Sequence, residues 1–307
     1  MIIEVIKLKS FIDKLTAKIN ETNSRICVGL DPHLHLIPEY ILNKAKKEWA
    51  DSEKAVAIAV LNFNKKIIDE IWKHTAIVKP QIAFYEKMGL EGLKTLNKTM
   101  EYAKEKGLLV LLDAKRNDIG STARAYAEAY LNNKNVDAIT INPYFGFDGI
   151  KPFLNYKDKG AFALVRTSNK SAVDVQDIES KSGKKMYEHV GKLVKNWGKD
   201  YLGKCGYSNL GAVIGATYPK ELKKLRSMLP GVFLLIPGYG AQGGGAEDVV
   251  YGFDENRSGA VVNSSRGIIF AYNNDKKYNE SDFAFAAGKA AKKMKEEINN
   301  ALNNYYS

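Results

Sequence analysis

Three charged residues, Asp113, Lys115 and Asp118, follow directly on the apolar run 108–112. A run that apolar reads as a buried strand, so the charges sit where the chain leaves the core. Asp113 and Lys115 are two apart and share one face of an extended chain, whereas Asp118 falls past the strand end. Charges so close to a core are costly unless they pair. An ammonium flanked by carboxylates stays protonated, which suits ion pairing and proton transfer. A solvated salt-bridge cluster on a loop is the bland alternative. A second chemical signal lies near the other end of the chain. The segment PGYGAQGGG (237–245), which includes Gln242 and Gly243, offers backbone amides free of side-chain crowding. Arg266 adds a planar fork able to grip two phosphate oxygens.

The elements that must position these groups recur along the chain. Apolar runs ending in polar or glycine-rich residues fall at 26–31, 76–84, 108–115, 138–144, 161–168, 211–217, 232–240 and 259–267. Helical patterns lie between most of them: Val56, Val60, Phe63, Ile67 and Ile71 in one, Leu90, Leu93, Leu96, Met100 and Ala103 in another. Strand and helix alternating eight times predict a (β/α)8 TIM barrel. The competing open sheet lacks a G-x-G-x-x-G after its first strand. Two segments exceed ordinary connection lengths, near 32–52 and 169–209, and the second contains an expected helix at 185–202. No Pro/Ser/Gly-rich spacer divides the chain. One barrel domain over 1–307 is therefore expected, with both segments on its catalytic face as lids or walls.

In a barrel the strand ends converge on one cup, and Asp31, Lys79, Asp113, Lys115, Thr167, Ser168, Gln242 and Arg266 all fall at or just past such ends. Each has a dull explanation singly: Asp31 before Pro32 starts a turn, and Lys79 before Pro80 pairs with a neighbouring acid. Their shared position favours a site. Barrels commonly bind phosphate after strands seven and eight, where the glycine-rich loop and Arg266 stand.

The formal net charge of +11 over 307 residues is compatible with a polyanionic partner. Lysine is spread along the chain, and no helix-turn-helix, zinc-finger or RNP pattern accompanies it, so no nucleic-acid partner is expected. Cys27 and Cys205 are too few and too far apart for a disulfide framework. Residues 1–10 mix charges into the apolar positions and do not read as a secretory segment. No run approaches about 18 apolar residues, so no membrane span is expected, and a reduced, cytoplasmic location follows. The four histidines, His33, His35, His74 and His189, form no metal-ligand pattern beyond His33-x-His35.

The motif DAKRNDIGST (113–122) resembles the signature of the orotidine 5′-phosphate decarboxylase family. The resemblance extends to VGLD (28–31), VK (78–79), VRTSN (165–169), PGYGAQG (237–243) and NSSRG (263–267), in the expected order. The two long segments and the RTSN form are similar to the longer bacterial group of that family. The resemblance implies decarboxylation of orotidine 5′-phosphate to UMP in de novo pyrimidine synthesis, with neither metal nor organic cofactor. It also implies a charged tetrad of Lys79, Asp113, Lys115 and Asp118, with Lys115 the proton donor. Asp118, Ile119 and Thr122 would reach into a partner subunit's site, so a homodimer with shared active sites is implied. Asp31 and Lys79 would hold the ribose hydroxyls and Ser168 the pyrimidine amide; Gln242, beside Gly243, would hold the phosphate with Arg266. Lys170 stands where proline is expected, a departure that bears on the shape of the fifth loop.

Loss of CO2 from C6 leaves an electron pair in an sp2 orbital that no ring carbonyl can absorb, so the site must stabilise a carbanion electrostatically. The nearest rival is an Mg2+-dependent sugar-phosphate enzyme on the same barrel. It needs a carboxylate at the end of strand two, where this chain has Lys79. A silent phosphate- or nucleotide-binding barrel, or a basic nucleic-acid binder, is the alternative outside enzymology, and the intact tetrad argues against it.

Overall fold

Eight parallel strands hydrogen-bond in chain order and close on themselves in the computed structural model, which describes residues 9–50, 52–240 and 243–307. They are β1 (Ile26–Leu30), β2 (Ile77–Pro80), β3 (Leu109–Arg116), β4 (Ala138–Ile141), β5 (Gly160–Arg166), β6 (Leu210–Ile214), β7 (Leu234–Pro237) and β8 (Ala260–Ser264). The ring shuts where Ile26, Cys27 and Val28 pair with Val262, Asn263 and Ser264. All eight expected strands are present. Several end earlier than their apolar runs: β2 stops at Pro80, because the Ile82 amide turns to the Asp113 carbonyl and a helical turn, Ala83–Glu86, begins.

Alternation along each strand sorts side chains between two cores. Cys27, Ile77, Leu111, Phe162, Leu235 and Val261 fill the barrel interior. Val28, Val78, Val110 and Leu112 face the surrounding helices. Each fully buried Val, Leu or Ile contributes about 1.5–3 kcal/mol. The helix Phe11–Thr22 seals the bottom, with Phe11 edge-on to Phe162 at 6.1 Å between ring centroids.

The helix Glu53–Ile71 buries Val60, Phe63, Ile67 and Ile71 as the spacing predicts, with Val56 only partly buried against them. The helix Gly89–Glu105 is rotated relative to expectation. It buries Gly92, Thr95, Leu96, Thr99, Met100 and Ala103, leaving Leu90 and Leu93 exposed, because Thr95 turns inward to donate to the Ala57 carbonyl at 3.0 Å. Segment 32–52 forms a turn, Leu34–Leu36, and a helix, Glu39–Trp49, whose Ile41 and Ala45 join the outer core; Asp51 lies outside the described residues. In segment 169–209 the expected helix runs from Met186 to Gly198, shorter than 185–202, since the chain then turns back and Asn209 donates to the Tyr201 carbonyl. Residues 1–8 of the N-terminal stretch also lie outside the described residues. Among the described residues no helix is long and apolar enough to cross a membrane.

Candidate functional site

One step of strand alternation beyond the last interior apolar residue brings each strand to the floor of the upper cup. Leu111 leads to Asp113, Ile77 to Lys79 and Ala138 to Thr140. There Asp113 accepts from Lys79 Nζ at 2.7 Å on one carboxylate oxygen, and from Lys115 Nζ at 2.5 Å and the Thr140 hydroxyl at 2.7 Å on the other. The Lys79–Asp113 pair is buried, whereas Lys115 is half-exposed and faces the cavity. Burial opposes ionisation of Asp113, but the Lys79 and Lys115 ammoniums outweigh it and hold the carboxyl well below its ordinary range. Burial likewise works against charge on Lys79, yet Asp113, and then Asp31, hold its ammonium well above the usual range.

Lys115 does not lie in a regular strand. Its φ is +49°, a left-handed conformation uncommon outside glycine, and the pairing of β3 with β4 slips between Leu112 and Arg116. The backbone amides of Ala114 and Lys115 both donate to Thr140 Oγ1 at 3.0 Å, which braces this bulge. Lys115 thus shares the cup with Asp113 through a bulge and not through simple alternation. Arg116 turns outward to Glu86 and Tyr130.

A cavity of about 410 Å³ opens above these groups, walled on one side by Thr167, Ser168 and Gln176 and floored by Leu164, Val213 and Leu235. A second, of about 430 Å³, continues past Lys79, Asp113 and Pro237 toward Asp31, Asn263 and Arg266. The three shared residues make one cleft with an apolar and an anionophilic end, of the size small-ligand sites take. Asp31 Oδ1 and Asn263 Oδ1 are buried there without a hydrogen-bond partner, acceptors left open for a ligand's donors. Arg266 is exposed at the mouth, and its guanidinium makes no hydrogen bond or ion pair to a described residue.

The glycine loop differs from the expected amide cradle. Gly243, at φ +96°, donates its amide to the Gly240 carbonyl at 2.8 Å, and Gly240 donates to the Gly244 carbonyl at 2.8 Å. These amides satisfy one another, so the freedom of glycine serves the loop's own turns. Gln242 lies outside the described residues. Lys170, found where proline is expected, leaves its loop in the proline-compatible shape: Asn169 is extended at φ −73°, ψ 148°, and Lys170 opens the turn that follows.

Asp118, Ile119 and Thr122 are not brought to this cleft. Asp118 accepts the Ile119 amide at 2.8 Å and lies just before the helix Gly120–Leu131, while Ile119 is 58% exposed. A single chain therefore gathers Lys79, Asp113 and Lys115 and leaves the fourth charge outside the cleft. Sequence reasoning missed Thr140, Asn263 and Gln176. The first two occupy the same alternation step as Lys79 and Asp113, a signal hidden because a threonine in a β-branched run reads as strand core. Gln176 carries no comparable signal.

A family model described as orotidine 5′-phosphate decarboxylase / HUMPS family matches residues 24–280. The chain is 47% identical over 296 residues to a Clostridium tetani protein named orotidine 5′-phosphate decarboxylase, covering 95% of this chain and 99% of that one. A protein of the same name from Caldicellulosiruptor saccharolyticus is 42% identical over 311 residues, covering 96% and 99%. The solved structure of Leishmania donovani OMP decarboxylase superimposes with a TM-score of 0.76 at 31% identity, over 96% of this chain and 99% of that one. A closed eight-stranded barrel carrying a Lys79–Asp113–Lys115 chain of charges, matched along nearly its whole length, belongs to the orotidine 5′-phosphate decarboxylase / HUMPS family.

Proposed function

We propose that this chain, as one barrel domain, converts orotidine 5′-phosphate to UMP and CO2, the last step of de novo pyrimidine synthesis. The observation that carries this reading is the Lys79–Asp113–Lys115 chain at the base of a cleft with an apolar and an anion-accepting end. The C6–carboxylate bond breaks with its electron pair left on C6, CO2 departs, and Lys115 gives its proton to C6, to be reprotonated from water. Its ammonium stabilises the developing charge before it transfers the proton. Asp113 holds that ammonium in place, and Lys79, with the open acceptor of Asp31, receives the ribose hydroxyls. Ser168 faces the pyrimidine amide, and Arg266 takes the phosphate with Gln242, the Gly243 amide being engaged within its own loop. Phosphate binding far from C6 then supplies energy to close the loops and expel water, which raises kcat as well as lowering KM.

The family description spans two activities, and the residues favour decarboxylation. An Mg2+ enediolate site wants a second carboxylate where Lys79 stands, and both oxygens of Asp113 are engaged by lysine ammoniums. The relatives at 42–47% identity carry the decarboxylase name.

The placement of Asp118, Ile119 and Thr122 away from their own chain's cleft supports a homodimer in which each subunit completes its partner's site. Ile119, Tyr144 and Phe145 are exposed apolar groups suited to that contact. A cytoplasmic location suits a nucleotide enzyme with two free thiols, Cys27 deep in the barrel and Cys205 half-buried. No nucleic acid, membrane, metal or organic cofactor has a part in this reading. The test is turnover of orotidine 5′-phosphate by the purified chain in excess EDTA, followed by loss of substrate absorbance. Absence of turnover, or turnover only after metal is restored, overturns it.

A further inference from the structure

The segment inserted after β5 does more than cover the barrel: two of its consecutive residues grip two consecutive residues at the strand end. Gln176 accepts the Thr167 amide on its side-chain oxygen at 3.0 Å and donates from its nitrogen to Thr167 Oγ1 at 2.7 Å. Thr167 passes its own hydroxyl proton on to Asn169 Oδ1 at 2.7 Å. The next residue, Asp177, pairs with Arg166 at 2.6 Å and with Lys185 at 3.0 Å. Arg166 is 1% exposed and stacks on Tyr218 at 4.1 Å, so this anchor is an ion pair whose cation is buried. On the other side Ser168 packs closely against the residue that follows β6: a Cβ on Gly215 would stand 3.0 Å from the Ser168 Cβ, tight enough that Ser168 would have to shift. Gln176 itself lines the cleft beside Ser168 and Lys115.

We infer that Gln176 is a specificity-determining positioning residue, which sets the Thr167–Ser168 backbone against the base of the bound nucleotide. The inference rests on the decarboxylase reading of the cleft. The carboxamide presents an acceptor and a donor to one residue at once, so both bonds depend on the same side chain. Alanine leaves the Thr167 amide without its partner and frees the loop, and the effect falls on the base and not on the phosphate, which binds at the far end of the cleft by Arg266.

Calorimetric titration with UMP and with ribose 5-phosphate separates the two ends, since the second ligand lacks the base. In Gln176→Ala the UMP Kd should rise about 10-fold, the scale of a lost hydrogen-bonded contact, with ribose 5-phosphate binding within about 2-fold of wild type. Thr167→Val removes the hydroxyl, with its bonds to Gln176 and Asn169, but keeps the amide bond to Gln176, and should give a smaller loss with the same selectivity; it also serves should the alanine variant not fold. Equal losses for both ligands, or none for either, overturn the assignment. Wild-type protein that turns over orotidine 5′-phosphate while these variants show no selectivity removes only the role of Gln176. Wild-type protein without turnover removes the decarboxylase reading on which it rests.

Discussion

Thr140 Oγ1 receives the backbone amide of Lys115 at 3.0 Å while its hydroxyl donates to Asp113 Oδ1 at 2.7 Å. One side chain therefore fixes both the left-handed backbone of Lys115 and the carboxylate that holds the Lys115 ammonium. The strain of a non-glycine residue at φ +49° costs on the order of 1–3 kcal/mol and persists only where neighbours enforce it.

Thr140→Val keeps the shape and removes the hydroxyl. The Ala114 and Lys115 amides lose their acceptor, and Asp113 loses one of its three donors. We expect kcat to fall about 10-fold or more, each tenfold being 1.36 kcal/mol of barrel-floor positioning, with KM within about 2-fold, because Thr140 acts through Lys115. Thr140→Ser, which retains the oxygen, should recover most of the loss. A rise in KM with kcat unchanged would show that Thr140 contacts substrate instead of positioning Lys115.

The Lys79–Asp113 pair makes stability depend on pH in a defined sense. The folded-state pKa of Asp113 is depressed, so its contribution is present above the unfolded carboxylate value near about 3.9 and is lost as pH falls toward the depressed value. That of Lys79 is raised, so its contribution is present below about 10.4 and is lost as pH rises toward the raised value. Both hold across neutral pH. Asp113→Asn leaves a buried ammonium without its anion, which costs about 3–5 kcal/mol at neutral pH. Thermal melts should show that deficit narrowing below about pH 4, where wild type loses the same interaction. A deficit constant from about pH 3 to pH 7 would contradict the pairing as the source.

The fold and the cup were legible because both follow from alternation. Runs apolar on both faces mark strands buried between two cores, and the same parity carries Ile77 to Lys79 and Leu111 to Asp113. That parity also reaches Thr140 and Asn263, which went unread because neither residue type signals chemistry inside an apolar run. Other features have no local signal. The bulge at Lys115 depends on Thr140 from another strand, and Gln176 meets Thr167 only through a turn anchored by the Arg166–Asp177 pair. The exposed Leu90 and Leu93 show the limit of periodicity: spacing identifies a helix, but the neighbour's carbonyl at Ala57 decided which face went inward.

Asp118 gives the last prediction, since it is the one member of the expected tetrad that its own chain does not bring to Lys115. If it completes the partner's site, Lys115→Ala and Asp118→Ala homodimers each lack one group in every site. A mixed dimer has one site missing both groups and one site carrying Lys115 from one subunit and Asp118 from the other. Random pairing after co-refolding in equal amounts puts half the molecules in mixed dimers with one complete site each, so activity should return to about one quarter of wild type. Each variant alone should stay at least about 100-fold below wild type, as expected when a positioned acid or its charge partner is removed. Mixtures no more active than the separate variants would place Asp118 outside the partner's site and confine catalysis to the groups that a single chain brings together.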